Sequence, residues 1–328
     1  MNMKKIFIKL AKALGYEIID QNNFISPTLN KELNEELSSI NNQSIVLPLG
    51  EVKITRKINS LLIIFRTNTS VEIWDQNKKR LFEKPKLEYS LRSLNSLIKS
   101  IKYLREKLPE INVKLIILDD HSNKENLEKI KKISQKEIGS QVISLDHTKY
   151  KSFIKEQKTK ETFSNLASLL NSFEIGKDQG EDLVFFVEDD YLHFETMLEE
   201  MLSSFQRISS QLNKDIFMCP SDYPYLYMNN EKTNLLIGSK RHWRIIDKTL
   251  CTFLASKTLI NKYWDNFKKT CEDRHDPFEK YLNEIYKQEI CISPVKSLSL
   301  HLTNINSSYG LAPFINYKEL WEENKIND

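Results

Sequence analysis

Five apolar residues, Leu183 to Val187, run directly into three carboxylates, Glu188, Asp189 and Asp190. A strand that is apolar at every position is buried on both faces, as in the middle of a parallel sheet. Residues at helical spacing follow at once: Phe194, Met197, Leu198, Met201, Leu202 and Phe205. Strands of this kind deliver their C-terminal residues to the crevice where α/β proteins bind ligands. The triplet therefore either serves a metal and a substrate or starts the helix, capping it and complementing its dipole.

The same alternation recurs upstream. Apolar strands are predicted at 61–65, 113–118 and 141–145, and helices at 86–108, 124–137 and 161–173. In the first helix Leu87, Leu91, Leu94, Leu97, Ile101 and Leu104 step by three or four, and Pro109 stops it. With the opening strand and a helix over 194–209, this pattern predicts a parallel sheet covered on both faces. A further short strand is expected at 71–74. After 210 the signals are mixed: a strand at 216–219, a hairpin from 235–239 and 241–246, helices at 256–268 and 277–288, and strands at 290–293 and 298–302. Asp276 and Pro277 read as the cap and first turn of the second helix. The tail from 305 looks loop-like, with a last turn near Trp321. The expected division is an extension over 1–55, one sheet domain with a nucleotide-side half over 56–210 and an acceptor-side half over 211–305, and a tail over 306–328.

Composition excludes several classes. The 48 basic residues are interspersed with 45 acidic ones for a net charge of +3, so no nucleic-acid footprint is expected. With 7 glycines and neither G-x-G-x-x-G nor a P-loop, a glycine-rich phosphate cradle is disfavoured. The four cysteines are far apart and contain no C-x-x-C pair, which argues against a zinc knuckle and fits isolated thiols in a reducing, cytoplasmic setting. No apolar run reaches the ~20 residues that span a bilayer, and the N-terminus lacks the features of a signal peptide. Residues 3–14 can form a short basic helix with Met3, Ile6, Phe7, Leu10 and Leu14 on one face. That face either docks on the protein's own body or rests on an anionic membrane surface.

Two acidic strand ends lie on the same edge of the predicted sheet. At Asp119-Asp120-His121-Ser122 a carboxylate can accept hydrogen bonds from a base or a ribose hydroxyl, while Ser122 or Asn123 can cap the next helix. At Glu188-Asp189-Asp190 one carboxylate can face a ribose and another a hard divalent cation, since Mg²⁺ or Mn²⁺ is commonly held by one or two carboxylates plus phosphates. Downstream, Cys271-Glu-Asp-Arg-His-Asp276 offers carboxylates near a helix start, and equally reads as an exposed turn. His301 stands alone in an apolar strand, a place where a histidine is usually a satisfied core residue. Arg241 and Arg244 flank an aromatic in Arg241-His-Trp-Arg244, and can pair with a diphosphate or stack on an acceptor.

The order of these motifs resembles the GT-A glycosyltransferases, most nearly the family-2-like group, over roughly residues 60–305. Their pattern is a hydrophobic strand ending in D-D-x-S and a later apolar strand ending in D-x-D. Here Leu118-Asp-Asp-His-Ser122 and Val187-Glu-Asp-Asp-Tyr191 occupy those positions. The resemblance implies an α/β, GT-A-like fold: a mainly parallel, Rossmann-like sheet flanked by helices, with a mixed α+β second half. It implies a nucleotide-sugar donor held across this edge, with Arg66 and Thr67 by the nucleobase and Asp119 or Asp120 at the base or ribose. Glu188 and Asp189 would serve the ribose and positioning. Asp190 would hold Mn²⁺ or Mg²⁺, with His301 completing the metal site. In inverting members a carboxylate deprotonates the acceptor hydroxyl, which points to Asp273, then Glu272, then Asp276. Two departures are plain: His121 replaces a common glycine, and the triplet opens with Glu rather than Asp. The Q-x-x-R-W motif of processive synthases is absent, which favours a single addition.

The expectation is a cytoplasmic, metal-dependent transferase moving one sugar, with inversion, to a glycan, lipid-linked or protein acceptor, in a polysaccharide-building role, with contact to the inner face of a membrane through 3–14. A sugar-phosphate nucleotidyltransferase is a rival, although Arg66-Thr-Asn-Thr69 lacks the glycine-rich loop expected there. The non-catalytic alternatives are a receiver-like module, whose acidic pair would sit on the first strand, and a degenerate transferase fold used for binding.

Overall fold

The computed structural model describes residues 3–16, 18, 53–70, 80–155, 159–228, 233–303 and 305–326. The strand expected at 71–74 and most of the extension expected over 1–55 lie outside them. The chain divides into two units, Met1–Lys53 and Ile54–Asp328. In the first, α1 (Met3–Ala13) carries Lys9 and Lys12, and its apolar residues Ile6, Phe7 and Leu10 are exposed.

The second unit begins with β1 (Ser60–Thr67), α2 (Lys86–Lys107), β2 (Asn112–Asp119), α3 (Lys124–Ile138), β3 (Gln141–Ser144), a 3-10 turn (His147–Tyr150), α4 (Lys160–Gln179) and β4 (Leu183–Glu188). It continues through β5 (Tyr191–His193), α5 (Met197–Leu212), β6 (Phe217–Met218), β7 (Leu235–Ile237), β8 (His242–Ile246) and β9 (Phe253–Ser256). The last elements are α6 (Lys257–Lys262), α7 (Trp264–Glu272), α8 (Lys280–Tyr286), β10 (Cys291–Pro294), β11 (Ser299–His301) and α9 (Tyr317–Glu323). The 9-stranded sheet has the order β3-β2-β1-β4-β9-β6-β10-β8-β7. β1 to β4 run parallel, β9 runs against β4 and β6, β10 runs with β6, and β8 runs against β10. This is the α/β, mainly parallel sheet flanked by helices that the sequence predicts, with its mixed second half.

The alternation of the central strands builds two cores. Leu62 and Ile64 of β1 face Val184, Phe186, Leu166, Phe173 and Phe267 on one side. Leu61, Ile63 and Phe65 face Leu94, Leu97, Ile101, Met201 and Phe205 on the other. A third cluster joins Tyr89 of α2, Leu192 of β5, Leu300 of β11 and Trp321 of α9, so the tail is a docked helix rather than a loop. Phe82 stacks on Trp321 at 4.2 Å, and the Arg92 guanidinium lies 4.3 Å from the Trp321 ring centre.

Four local expectations are corrected. The helix after the acidic triplet starts at Met197, and β5 occupies the space between, so Asp190 caps nothing. β5 pairs with β11 in a separate two-stranded sheet. The segment 253–256 is a strand, inserted antiparallel between β4 and β6, because Phe253, Leu254 and Ala255 are buried there on both faces. The helix over 256–268 is split at Tyr263 into α6 and α7. Asp276 and Pro277 do not open a helix: their peptide bond is cis and α8 begins at Lys280.

Helix α4 reaches β4 through a glycine. A Cβ at Gly176 would lie 2.8 Å from Phe186 Cζ and 3.0 Å from Val184 Cγ1. Alanine is the better helix former by roughly 1 kcal/mol, yet overpacking at such a contact costs about 1–3 kcal/mol. Gly176→Ala is therefore expected to lower the urea midpoint of unfolding. An unchanged or raised midpoint would mean that the helix and sheet have room for the methyl group.

Candidate functional site

Parallel register assembles the site edge. Thr67 pairs with Asp119 across β1 and β2, and Arg66 pairs with Glu188 across β1 and β4. Adjacent strands lie about 4.8 Å apart, so Arg66, Thr67, Asp119 and Glu188 stand side by side where these strands end. Asp120 extends the edge, donating its N–H to the Thr67 carbonyl at 2.9 Å.

Each member of the triplet has a different partner. Glu188 accepts from Arg66 Nη2 at 2.9 Å and from Thr252 Oγ1 at 3.4 Å. Burial raises its pKa, Arg66 opposes this, and Asp190 adds to it. Asp189 is saturated: it accepts from Lys86 Nζ at 2.5 Å, Ser90 Oγ at 2.6 Å, Thr67 Oγ1 at 2.8 Å and the Asn68 N–H at 3.3 Å. Lys86 starts α2, so this carboxylate ties β4 to the first turn of that helix. Burial acts to lower the Lys86 pKa, but Asp189 and Asp190 more than offset it, and the amine is held above its ordinary value.

Asp190 differs from both neighbours. Its Oδ2 lies 3.3 Å from His301 Nε2, and its buried Oδ1 has no hydrogen-bond partner among the described residues. The antiparallel register Tyr191↔His301 brings the pair together, and the Leu302 N–H donates to the Asp190 carbonyl at 2.7 Å. The imidazole stacks on Tyr191, with ring centres 4.7 Å apart and planes 11° from parallel. His301 Nδ1 lies 2.8 Å from the Tyr309 carbonyl oxygen. A carbonyl only accepts, so Nδ1 carries the proton. In the neutral ring the lone pair of Nε2 then faces a carboxylate oxygen, an arrangement that requires a cation between them, either a proton or a metal. Burial disfavours charge on both groups. Their mutual attraction overrides it, raising the His301 pKa and holding Asp190 well below the usual carboxylate range. The Asp190 side chain is 33% exposed and that of His301 15%, so the pair is accessible from outside.

Asp119 is buried and accepts the Ser122 N–H at 3.3 Å, and burial raises its pKa. The helix cap is supplied by Asn123, whose side chain accepts the Asn126 N–H at 2.8 Å. Asp120 accepts from Asn68 Nδ2 and Ser164 Oγ and lies against His121 and His147.

The structure thus gathers Arg66, Thr67, Glu188, Asp189, Asp190 and His301 in three neighbouring pairings, with Asp119 and Asp120 on the adjoining strand end. The remaining candidates bond elsewhere. Arg241 Nη1 donates to the Lys296 carbonyl at 2.7 Å, and Arg241 lines a surface cleft with Glu200, Lys240, His242 and Lys296. Arg244 is buried, donates to Tyr227 Oη at 2.8 Å and lies 3.5 Å from Asp222 Oδ1. Glu272 pairs with Lys155 at 2.7 Å, and Asp273 accepts the N–H of its neighbour Arg274 at 2.7 Å.

Four participants were not singled out from the sequence. Lys86 and Ser90 lie one turn apart on α2, a spacing that marks them as same-face residues but gives no sign of the triplet they meet. His147 sits in what reads as a Lys-rich loop. Glu279, just before α8, has its carboxyl pushed up to about 7 by burial; its own backbone N–H opposes this, Glu188 adds to it and His301 opposes it.

No protein-family model matches the sequence, and no curated protein matches it. Several solved structures share part of the fold. The galactosyltransferase LgtC with donor and acceptor sugar analogues is 10% identical, with 70% of this chain aligned to 72% of that one at a TM-score of 0.35. Apo-UDP-glucose pyrophosphorylase is also 10% identical, with 81% aligned to 96% at 0.40. Glucosyl-3-phosphoglycerate synthase from Mycobacterium tuberculosis, bound to Mn²⁺, UDP and phosphoglyceric acid, is 13% identical, with 61% aligned to 57% at 0.32. Likenesses this distant assign no chemistry to residues.

Proposed function

We propose that this chain is a metal-dependent glycosyltransferase that moves a single sugar, with inversion, from a nucleotide-sugar donor to a glycan, lipid-linked or protein acceptor. The observation that carries the reading is the Asp190–His301 pair, in which a ring nitrogen fixed by the Tyr309 carbonyl faces a carboxylate with one unpartnered buried oxygen. Carboxylate and imidazole together suit Mn²⁺ better than Mg²⁺. When bound, such an ion would neutralise the departing nucleoside diphosphate as a Lewis acid.

The chain's own residues supply the remaining functions. Asp119 or Asp120 would contact the base or ribose, with Arg66 and Thr67 beside it. Glu188 serves the ribose, and Asp189 positions its neighbours by anchoring β4 to α2. The acceptor hydroxyl must lose its proton as its oxygen bonds to the anomeric carbon and the carbon–diphosphate bond breaks. Asp273 and Glu272 are the carboxylates suggested by sequence. Glu279 is the stronger candidate, because it lies within electrostatic reach of Glu188 and His301 and its pKa of about 7 suits a general base at neutral pH. Arg241 and Arg244 would act on the acceptor side. A cytoplasmic location is part of the proposal; no helix among the described residues is long and apolar enough to cross a membrane. The exposed Phe7 and Leu10 of α1, with Lys9 and Lys12, support peripheral contact with an anionic membrane surface.

Four measurements test this reading. Thermal shift with nucleoside diphosphates and nucleotide sugars is expected to show stabilisation that requires Mn²⁺ and is lost in Asp190→Asn. Stabilisation by nucleotide that is indifferent to metal, or retained in Asp190→Asn, would remove the metal role. With a donor in hand, Glu279→Gln is expected to lower kcat by roughly 10²–10⁴ while donor binding is kept; an equal loss in Asp273→Asn and none in Glu279→Gln would return the base to Asp273. Release of pyrophosphate instead of a nucleoside diphosphate would favour nucleotidyl transfer. Co-sedimentation with anionic vesicles should fall when Phe7 and Leu10 are both changed to Ser, and equal sedimentation would dismiss the membrane contact.

A further inference from the structure

A second cluster stands at the end of β2. Asp120 is only 3% exposed, and both of its oxygens are committed. Oδ2 accepts from Ser164 Oγ and from Asn68 Nδ2 at 3.2 Å. Oδ1 faces two imidazoles, His147 Nε2 at 2.7 Å and His121 Nδ1 at 3.1 Å. One ligand atom from each of the three residues lies within 4.8 Å of the others. The two rings pack with centres 4.5 Å apart. His121 adopts φ 59°, in the left-handed region, and its side chain is 62% exposed, so the cluster is buried on its carboxylate side and open on its histidine side.

We propose that Asp120, His121 and His147 form a transition-metal site of the Zn²⁺ or Co²⁺ class, separate from the Asp190–His301 pair. Without metal, each imidazole nitrogen donates a proton to the shared oxygen. When a divalent ion enters, the proton of each neutral ring shifts to its other nitrogen, and the ion takes Oδ1 and the two freed nitrogens as ligands, with water or an exchangeable ligand on the open side. Tetrahedral zinc, with ligands at about 2.0–2.2 Å, separates neighbouring ligand atoms by roughly 3.3 Å. The pairs at 3.1 and 2.7 Å need to open by only a few tenths of an ångström, and the exposed His121 ring can move. Ser164 and Asn68 hold Oδ2, as outer-shell donors orient a ligating carboxylate. Two imidazoles and one carboxylate suit zinc or cobalt better than magnesium. This assignment leaves Asp119 as the base or ribose contact of the proposed donor site, and it does not rest on that site.

The test uses untagged, chelator-stripped full-length protein carrying Asp190→Asn, which removes the other site. Co²⁺ uptake is read by its visible absorption and Zn²⁺ uptake by calorimetry. A single equivalent should bind, and adding either His147→Gln or His121→Asn should weaken it by roughly tenfold or more. Asparagine tolerates the left-handed backbone at 121, and unchanged metal-free circular dichroism and melting would establish that each variant folds. Absence of uptake in the Asp190→Asn protein, equal uptake in both histidine variants, or a loss in only one of them would overturn the three-residue assignment. Failure here leaves Mn²⁺-dependent nucleotide binding at Asp190 untouched, so the two proposals fail separately.

Discussion

Three consecutive carboxylates at the end of a strand buried on both faces create a charge problem, and three different elements solve it. Glu188 ends β4 while Asp189 and Asp190 form the turn that follows, and the three acids turn to different partners. Glu188 turns to Arg66 of β1, Asp189 to Lys86 and Ser90 of α2, and Asp190 to His301 of β11. Leaving any buried charge unpaired costs several kcal/mol. The pairings therefore fix where α2 begins against the sheet and where the small β5–β11 sheet lies relative to the large one. Of the three, only Asp190 keeps a buried oxygen, Oδ1, with no hydrogen-bond partner among the described residues. Stability accounts for Glu188 and Asp189. At Asp190 the pair with His301 accounts for Oδ2 and leaves Oδ1 as the residual.

The second acidic strand end follows the same logic with a different outcome. Asp119 is held by the turn that follows it, while Asp120 gathers Asn68, Ser164, His121 and His147. Three segments distant in sequence, together with the neighbouring His121, thus converge on one carboxylate. The two acidic ends flank β1 on the same edge, and parallel register alone puts them there. The helix-capping alternative holds at the second motif, where Asn123 caps α3, and fails at the triplet, where β5 separates Asp190 from α5.

Much of the first half was legible because its strands are apolar at every position and its helices repeat cleanly. Leu61 to Phe65, Leu115 to Leu118 and Leu183 to Val187 leave few alternatives to buried parallel strands. The second half was less legible because its elements are short and their environment comes from elsewhere. Phe253 to Ser256 is too brief to declare itself a strand, and is one because β4 and β6 present open edges to it. The tail reads as loop with a last turn near Trp321, and that turn is a docked helix because Phe82, Tyr89 and Arg92 provide its surface.

The sequence by itself determined the order of the strands in the chain, the apolar cores they build and the placing of acidic residues at two strand ends. Local pattern suffices for these, since periodicity and burial are properties of contiguous residues. Only the tertiary structure decided which acid is neutralised by what. His301 meets Asp190 through an antiparallel register between residues 111 positions apart, and Lys86 meets Asp189 across 103. No local signal encodes such a pairing, because it arises when the buried charge on β4 selects, from the whole folded chain, the groups that can satisfy it.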